Sequence, residues 1–208
     1  EDIINGASFD YNLPCIAEKS LIVVASVAEY LIQQMQSFGA LLLNHEQTEK
    51  LRAVCLPDGV ANKKLVGKSP CHLLEAAGIP LPQKTPRLLI AVVDADDNWV
   101  TCEQLMPMLP IVKVSDFDSA LTLALKVEDG LHHTAIMHSQ NVSRLNLAAR
   151  VMQTSIFVKN GPSWAGIGVG GEGFTTFTIA TPTGEGTTSA RTFARSRRCV
   201  LTSGFSIR

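Results

Sequence analysis

Cys15 is the side chain of this 208-residue chain best placed for covalent chemistry. It stands in Asn12-Leu13-Pro14-Cys15-Ile16-Ala17-Glu18-Lys19, where Pro14 interrupts regular structure and residues 16–19 can open a short helix. A thiol at a helix N-terminus meets unpaired backbone N–H groups and the positive end of the dipole, and both favour the thiolate, the reactive form of cysteine. The same N–H groups can hydrogen-bond the oxyanion created when a thiolate attacks a carbonyl. The competing reading is a buried, inert cysteine, since free cysteines are among the most buried residues. Cys55, Cys71, Cys102 and Cys199 are scattered without C-x-x-C spacing, which argues against zinc or a redox pair and fits a reducing cytosol.

Two further patterns resemble chemical sites on paper. His132, His133 and His138 crowd together, but neighbours along a strand face opposite ways and no carboxylate or cysteine stands at ligand spacing. A metal site is not expected. A hydrolase would need one of these histidines within hydrogen-bond reach of Cys15. Gly166-x-Gly168-x-x-Gly171 spells the dinucleotide fingerprint, which has meaning only when a helix follows. Here Phe174–Ile179 reads as a strand, so the glycines are read instead as a loop allowing close approach to substrate or partner.

The elements that must position Cys15 alternate. Leu21–Ser26 reads as a strand, followed by a helix with Val27, Tyr30, Leu31, Met35 and Phe38 on one face. His45–Leu56 and Ser69–Ala77 read as shorter helices, the second ended by Gly78 and Pro80. Arg87–Asp94 is an unbroken apolar run suited to a strand covered on both faces. Strand, helix, strand, helix and strand follow at Ile111–Val114, Asp116–Val127, Thr134–His138, Val142–Gln153 and Ser155–Lys159. Leu121, Ala124 and Leu125 form one helical stripe, and Val142, Leu145, Ala149 and Met152 another. The pattern predicts an α/β fold with a doubly wound, mostly parallel open sheet. Residues 1–188 form the expected catalytic unit; 189–208, with five arginines, form a β-prone arm.

Composition narrows the partners. Lys and Arg total 18 against 19 Asp and Glu, so no general attraction for nucleic acid is expected. The apolar stretch Leu21–Ala28 is far below the roughly 20 residues needed to span a bilayer. No membrane segment or signal peptide is expected, and a start at Glu1 reads as cut. Asn141-Val142-Ser143 matches the glycosylation triplet, which is common by chance.

Gly6-Ala7-Ser8-Phe9-Asp10 followed by Asn12–Lys19 resembles the nucleophile segment of CoA-acylating aldehyde dehydrogenases, closest to the propionaldehyde dehydrogenases of propanediol utilisation. The resemblance continues through Leu131–His138, Gly166–Gly173, Thr181–Gly186 and Thr188–Phe193 to Arg197–Thr202. The ethanolamine-utilisation acetaldehyde dehydrogenases are similar too. The resemblance implies Cys15 as nucleophile, NAD as hydride acceptor and CoA as acyl acceptor, with a nucleotide-binding domain before Glu1. On that basis residues 1–208 alone are not expected to turn over. Glu103, in Glu103-Gln104-Leu105-Met106-Pro107, resembles the Glu-x-aromatic-Gly-Pro motif that holds the nicotinamide ribose, with Leu-Met in place of aromatic-Gly. A solvated acid is the alternative. The resemblance also implies homo-oligomerisation through the arm and residence in a cytoplasmic bacterial microcompartment. A non-catalytic α/β assembly module remains the alternative from another class.

Overall fold

Leu88–Val92 (β3) is apolar throughout, and its first four residues are buried. In the computed structural model, which describes residues 1–171, 175–179 and 187–204, this strand is interior to a four-stranded parallel sheet. Its partners are β1 (Leu21–Val24), β2 (Ala40–Leu42) and β4 (Met108–Val114), in the order β1-β4-β3-β2. A separate parallel pair joins β5 (Thr134–Met137) to β6 (Ile156–Lys159). The fold is α/β, and every strand ladder among the described residues is parallel.

Helices cover both faces of the larger sheet, which is why β3 carries no polar residue. Leu88 and Ile90 pack with Ile4 and Ala7 of α1 (Asp2–Ser8) and with Ala28, Ile32 and Met35 of α2 (Ala25–Ser37). Leu89 and Ala91 face the other way, onto α3 (His45–Cys55), α4 (Pro70–Ala76) and α5 (Asn98–Thr101). α6 (Phe117–Glu128) and α7 (Val142–Met152) lead to β5 and β6. Most helices begin on a side-chain cap. The amide of Asn44 and the side chain of Gln47 close a capping box, while Ser69, Asp97, Asp116 and Asn141 each accept a first-turn N–H.

Several sequence expectations shift. β1 ends at Val24, and Ala25 and Ser26 already belong to α2. The buried stripe of α2 is Ala28, Ile32 and Met35; Val27 and Tyr30, expected inside, are exposed, Tyr30 to 69%. The small Ala28 lets the helix approach the sheet, turning the larger residues outward. In α7 the stripe passes through Leu145, Ala148 and Met152, leaving Val142 exposed. β4 starts three residues before Ile111, across Pro110. Leu89 N–H bonds Pro107 O and Val93 N–H bonds Ile111 O, so odd-numbered residues of β4 face β3. The missing N–H of Pro110 therefore falls on the β1 side, where pairing begins only at Ile111.

Residues 175–179 form no strand, and Phe174 lies outside the described residues. The described part of 189–208 holds one 3₁₀ turn, Ala190–Phe193, and no strand; Arg208 lies outside it. Gly166 and Gly171 allow close packing within the chain. A Cβ at Gly166 would meet Ile156 Cγ2 at 2.3 Å, and one at Gly171 would meet Ala165 O at 2.5 Å. Gly173 and Thr181–Gly186 lie outside the described residues. Gly166→Ala must push the turn Ser163–Ile167 off β6. The expected loss is about 1–3 kcal/mol by urea denaturation, the usual range for overpacking; an unchanged midpoint would contradict this packing.

Candidate active site

Cys15 precedes β1 and Glu103 precedes β4, and these strands are parallel neighbours. The topology therefore sets both segments at the N-terminal ends of the strands, opposite the carboxyl ends where open α/β sheets usually hold ligands. At the carboxyl ends of β2 and β3 a depression of about 470 Å³ is lined by Leu43, His45, Arg52, Val93 and Asp97, and holds no candidate residue.

Cys15 is exposed. No helix starts there: the chain turns through Pro14–Ala17, closed by Ala17 N–H to Pro14 O at 3.0 Å. The positioning comes instead from the residues before it. Asp10, Tyr11 and Asn12 have φ of 45°, 54° and 62°, three successive non-glycine residues in the left-handed region. Each costs about 1–3 kcal/mol and persists only where surrounding contacts enforce it. The contacts converge on Asn12, which is 1% exposed. Its amide donates to Ala7 O and Glu18 O, both at 2.8 Å. The Lys19 ammonium donates to Asn12 O at 2.8 Å, Asn12 Oδ1 at 2.7 Å and Pro14 O at 3.3 Å. Among the described residues, the Cys15 and Ile16 N–H groups meet no acceptor. They are free to face an oxyanion.

Glu18 and Lys19 are the charged residues of the turn's underside. Glu18 Oε1 accepts Ser163 N–H at 3.0 Å, while Oε2 is buried without a partner among the described residues. Burial pushes Glu18 up to about 7, opposed by hydrogen bonds, including those of Ser163, and by Lys19. Burial pulls Lys19 down to about 8, opposed by the negative charges of Glu103, Cys15 and Glu18. Lys19 thus lies within electrostatic reach of both Cys15 and Glu103. Gly6 makes room for the buried carboxylate, since a Cβ there would sit 2.2 Å from Glu18 Oε1.

Glu103 is exposed, and its side chain accepts no hydrogen bond among the described residues. Its neighbour Gln104 is buried and donates to Trp99 O at 2.7 Å. Leu105, at φ 54°, accepts Gly67 N–H at 2.9 Å, and Gly67 packs beneath Leu13. The loop around Gly67 thereby links the Glu103 segment to the thiol turn. Among the described residues no histidine hydrogen-bonds Cys15: His133 shares a hydrogen bond with Thr134, and burial holds His138 below the usual imidazole range, opposed by Asp2. Among the described residues no group of three or more His, Cys, Asp or Glu could hold a metal ion. No helix there is long and apolar enough to cross a membrane.

No protein-family model matches the chain. It is 86% identical over all 208 residues to the CoA-propanoylating propanal dehydrogenase of Citrobacter freundii. The chain belongs to the CoA-acylating aldehyde dehydrogenases. It spans 45% of the length of that relative, and likewise of the acetylating acetaldehyde dehydrogenase of Escherichia coli, to which it is 47% identical over its whole length. Among solved structures it resembles a Rhodopseudomonas palustris propionaldehyde dehydrogenase holding CoA and an acylated cysteine, with TM-score 0.89, 46% identity, and coverage of 96% of this chain and 46% of that one. A propionaldehyde dehydrogenase of the Clostridium phytofermentans fucose-utilisation bacterial microcompartment gives TM-score 0.90 at 42% identity, covering all of this chain and 48% of that one.

Asn12, Glu18 and Lys19 received no role in the sequence reading, although all three lie in the motif around Cys15. The available signal was a Glu-Lys pair entering an apolar strand, where two charges survive only with buried partners. Glu18 yields a pH test. Its carboxyl, ordinarily near 4.5, sits near 7 in the fold, so its contribution to stability is full below about pH 4.5 and lost as pH rises through 7. Glu18→Gln should match the parent at low pH and exceed it above pH 7 by up to about 3 kcal/mol. Denaturant midpoints at several pH values check this; a parallel pH dependence in both proteins would contradict it.

Proposed function

We propose that the chain carries the thiol chemistry of a CoA-acylating propionaldehyde dehydrogenase, an oxidoreductase that converts propanal, CoA and NAD into propionyl-CoA and NADH. The observation that carries this reading is an exposed thiol on a strained turn, pinned by Asn12 and Lys19, with two neighbouring backbone N–H groups unclaimed among the described residues. The Cys15 thiolate adds to the aldehyde carbon, and the resulting oxyanion faces the Cys15 and Ile16 N–H groups. NAD, when bound, supplies the hydride acceptor that makes the Cys15 adduct a thioester. The CoA thiolate then attacks that carbonyl: the carbon–CoA sulfur bond forms, the carbon–Cys15 bond breaks, and Cys15 leaves as thiolate. Glu103 fits the nicotinamide ribose because it offers an uncommitted carboxylate on a segment fixed by Gln104 and Leu105.

Propanal is favoured over acetaldehyde by the closer likeness to the propanal enzyme. Residues 1–188 act as the catalytic unit and 189–208 as an oligomerisation arm. Phe193, 78% exposed, with exposed Val200 and Leu201, gives the arm an apolar face to bury against a second copy, and its arginines guard it against other pairings. A bacterial microcompartment in the cytoplasm is the proposed location; the Clostridium relative comes from a bacterial microcompartment.

The acyl-transfer half runs backwards without NAD. Incubation with propionyl-CoA should place one propionyl group on Cys15, detected by peptide mass spectrometry, and none on that peptide in Cys15→Ser. A propionyl group on another cysteine, or none at all, would overturn this reading.

A further inference from the structure

We infer that Lys19 is a positioning residue for acyl transfer at Cys15: its ammonium, held on the Asn12 and Pro14 carbonyls and the Asn12 side chain, fixes the turn that presents the thiol. The inference rests on Cys15 being the acyl carrier. An ammonium has three N–H donors, and here three oxygens receive them. Two belong to Asn12, the last of the three left-handed residues, so Lys19 holds the strained backbone in place from outside. The third is the carbonyl of Pro14, half of the peptide bond whose N–H belongs to Cys15. Fixing that carbonyl fixes the direction of the Cys15 N–H, because the peptide unit is planar.

The contact to Pro14 O adds little to holding the loop and is specific for aiming a peptide. Ala17 N–H already closes the turn through Pro14 O, and the Asn12 amide already ties it to Ala7 and Glu18. Burying an ammonium as well works against stability, as the lowered value of about 8 for Lys19 records. A group retained against its own burial, at contact with the peptide that carries the thiol, is placed for reaction rather than for folding. The groups facing it are Glu103, Cys15 and Glu18, so a positive charge here also steadies negative charge at the thiol mouth.

The experiment is saturation kinetics of Cys15 propionylation by propionyl-CoA in the parent, Lys19→Gln and Lys19→Arg, with circular dichroism to establish folding. Gln keeps two donors without charge, and Arg keeps charge and donors. Positioning predicts that Gln lowers the maximal rate about tenfold with the half-saturating concentration within about twofold, and that Arg recovers to within about threefold. A folded Gln variant with the parent's maximal rate overturns the proposal. If Gln does not fold, Arg decides alone: a folded Arg variant with a maximal rate within about threefold of the parent supports it, and a folded Arg variant that loses about tenfold or more overturns it. Alkylation of Cys15 by iodoacetamide separates the two claims. If the parent is not propionylated at Cys15, the acyl-carrier reading fails. The narrower claim that Lys19 fixes the turn presenting the thiol then stands on slower alkylation in a folded Gln variant and falls on an equal rate.

Discussion

The hydrogen bonds meeting at Asn12 are the constraint on which the candidate site depends. Three left-handed residues in a row are unfavourable for side chains with a Cβ, and nothing in their own preferences would keep them so. The buried amide of Asn12 meets two carbonyls, its two oxygens meet Lys19, and Glu18 beside it reaches across to Ser163. A half-satisfied network of this kind would be worse than an apolar core, whereas a nearly complete one fixes one geometry. The exception is Glu18 Oε2, and the burial of that unpartnered oxygen explains why the carboxyl holds its proton to near neutrality.

The sheet supplies the second requirement. Parallel neighbours β1 and β4 set the approaches to both strands at one end, so residues 88 positions apart in sequence share a neighbourhood. Apolar clusters on both faces keep that sheet from shifting, and the smaller cluster of Ile16, Ile156, Val158 and Ile167 anchors the residue after the thiol. The thiol itself stays at the surface. Cys55, buried in the larger core and pushed up to about 12 by that burial, shows what an inert cysteine looks like in the same fold.

Much of the fold was legible because long apolar runs and helical spacing report burial directly. β3, α3, α6 and α7 fall where the pattern places them, to within a residue or two. The misses have identifiable causes. α1 carries no helical pattern, because Gly6 and Asn5 are weak helix formers, yet Gly6 is demanded by the Glu18 carboxylate. β2 is only three residues long and its Ala-Leu-Leu carries no strand signature. The exposed face of α2 was misread because Ala28, not Tyr30, sets the distance to the sheet. For the candidate site, motif resemblance singles out Cys15 and Glu103. The hydrogen bonds that organise them were not legible, because they depend on positive φ at Asp10–Asn12, residues for which the sequence gives no glycine warning.

A crystal structure of the propionylated chain would test the account most directly. The acyl oxygen should lie about 3 Å from the Cys15 or Ile16 N–H, with Asn12 still left-handed and Lys19 still on the Asn12 and Pro14 oxygens. An acyl oxygen turned to solvent, or a Lys19 side chain swung away from an otherwise intact turn, would contradict it.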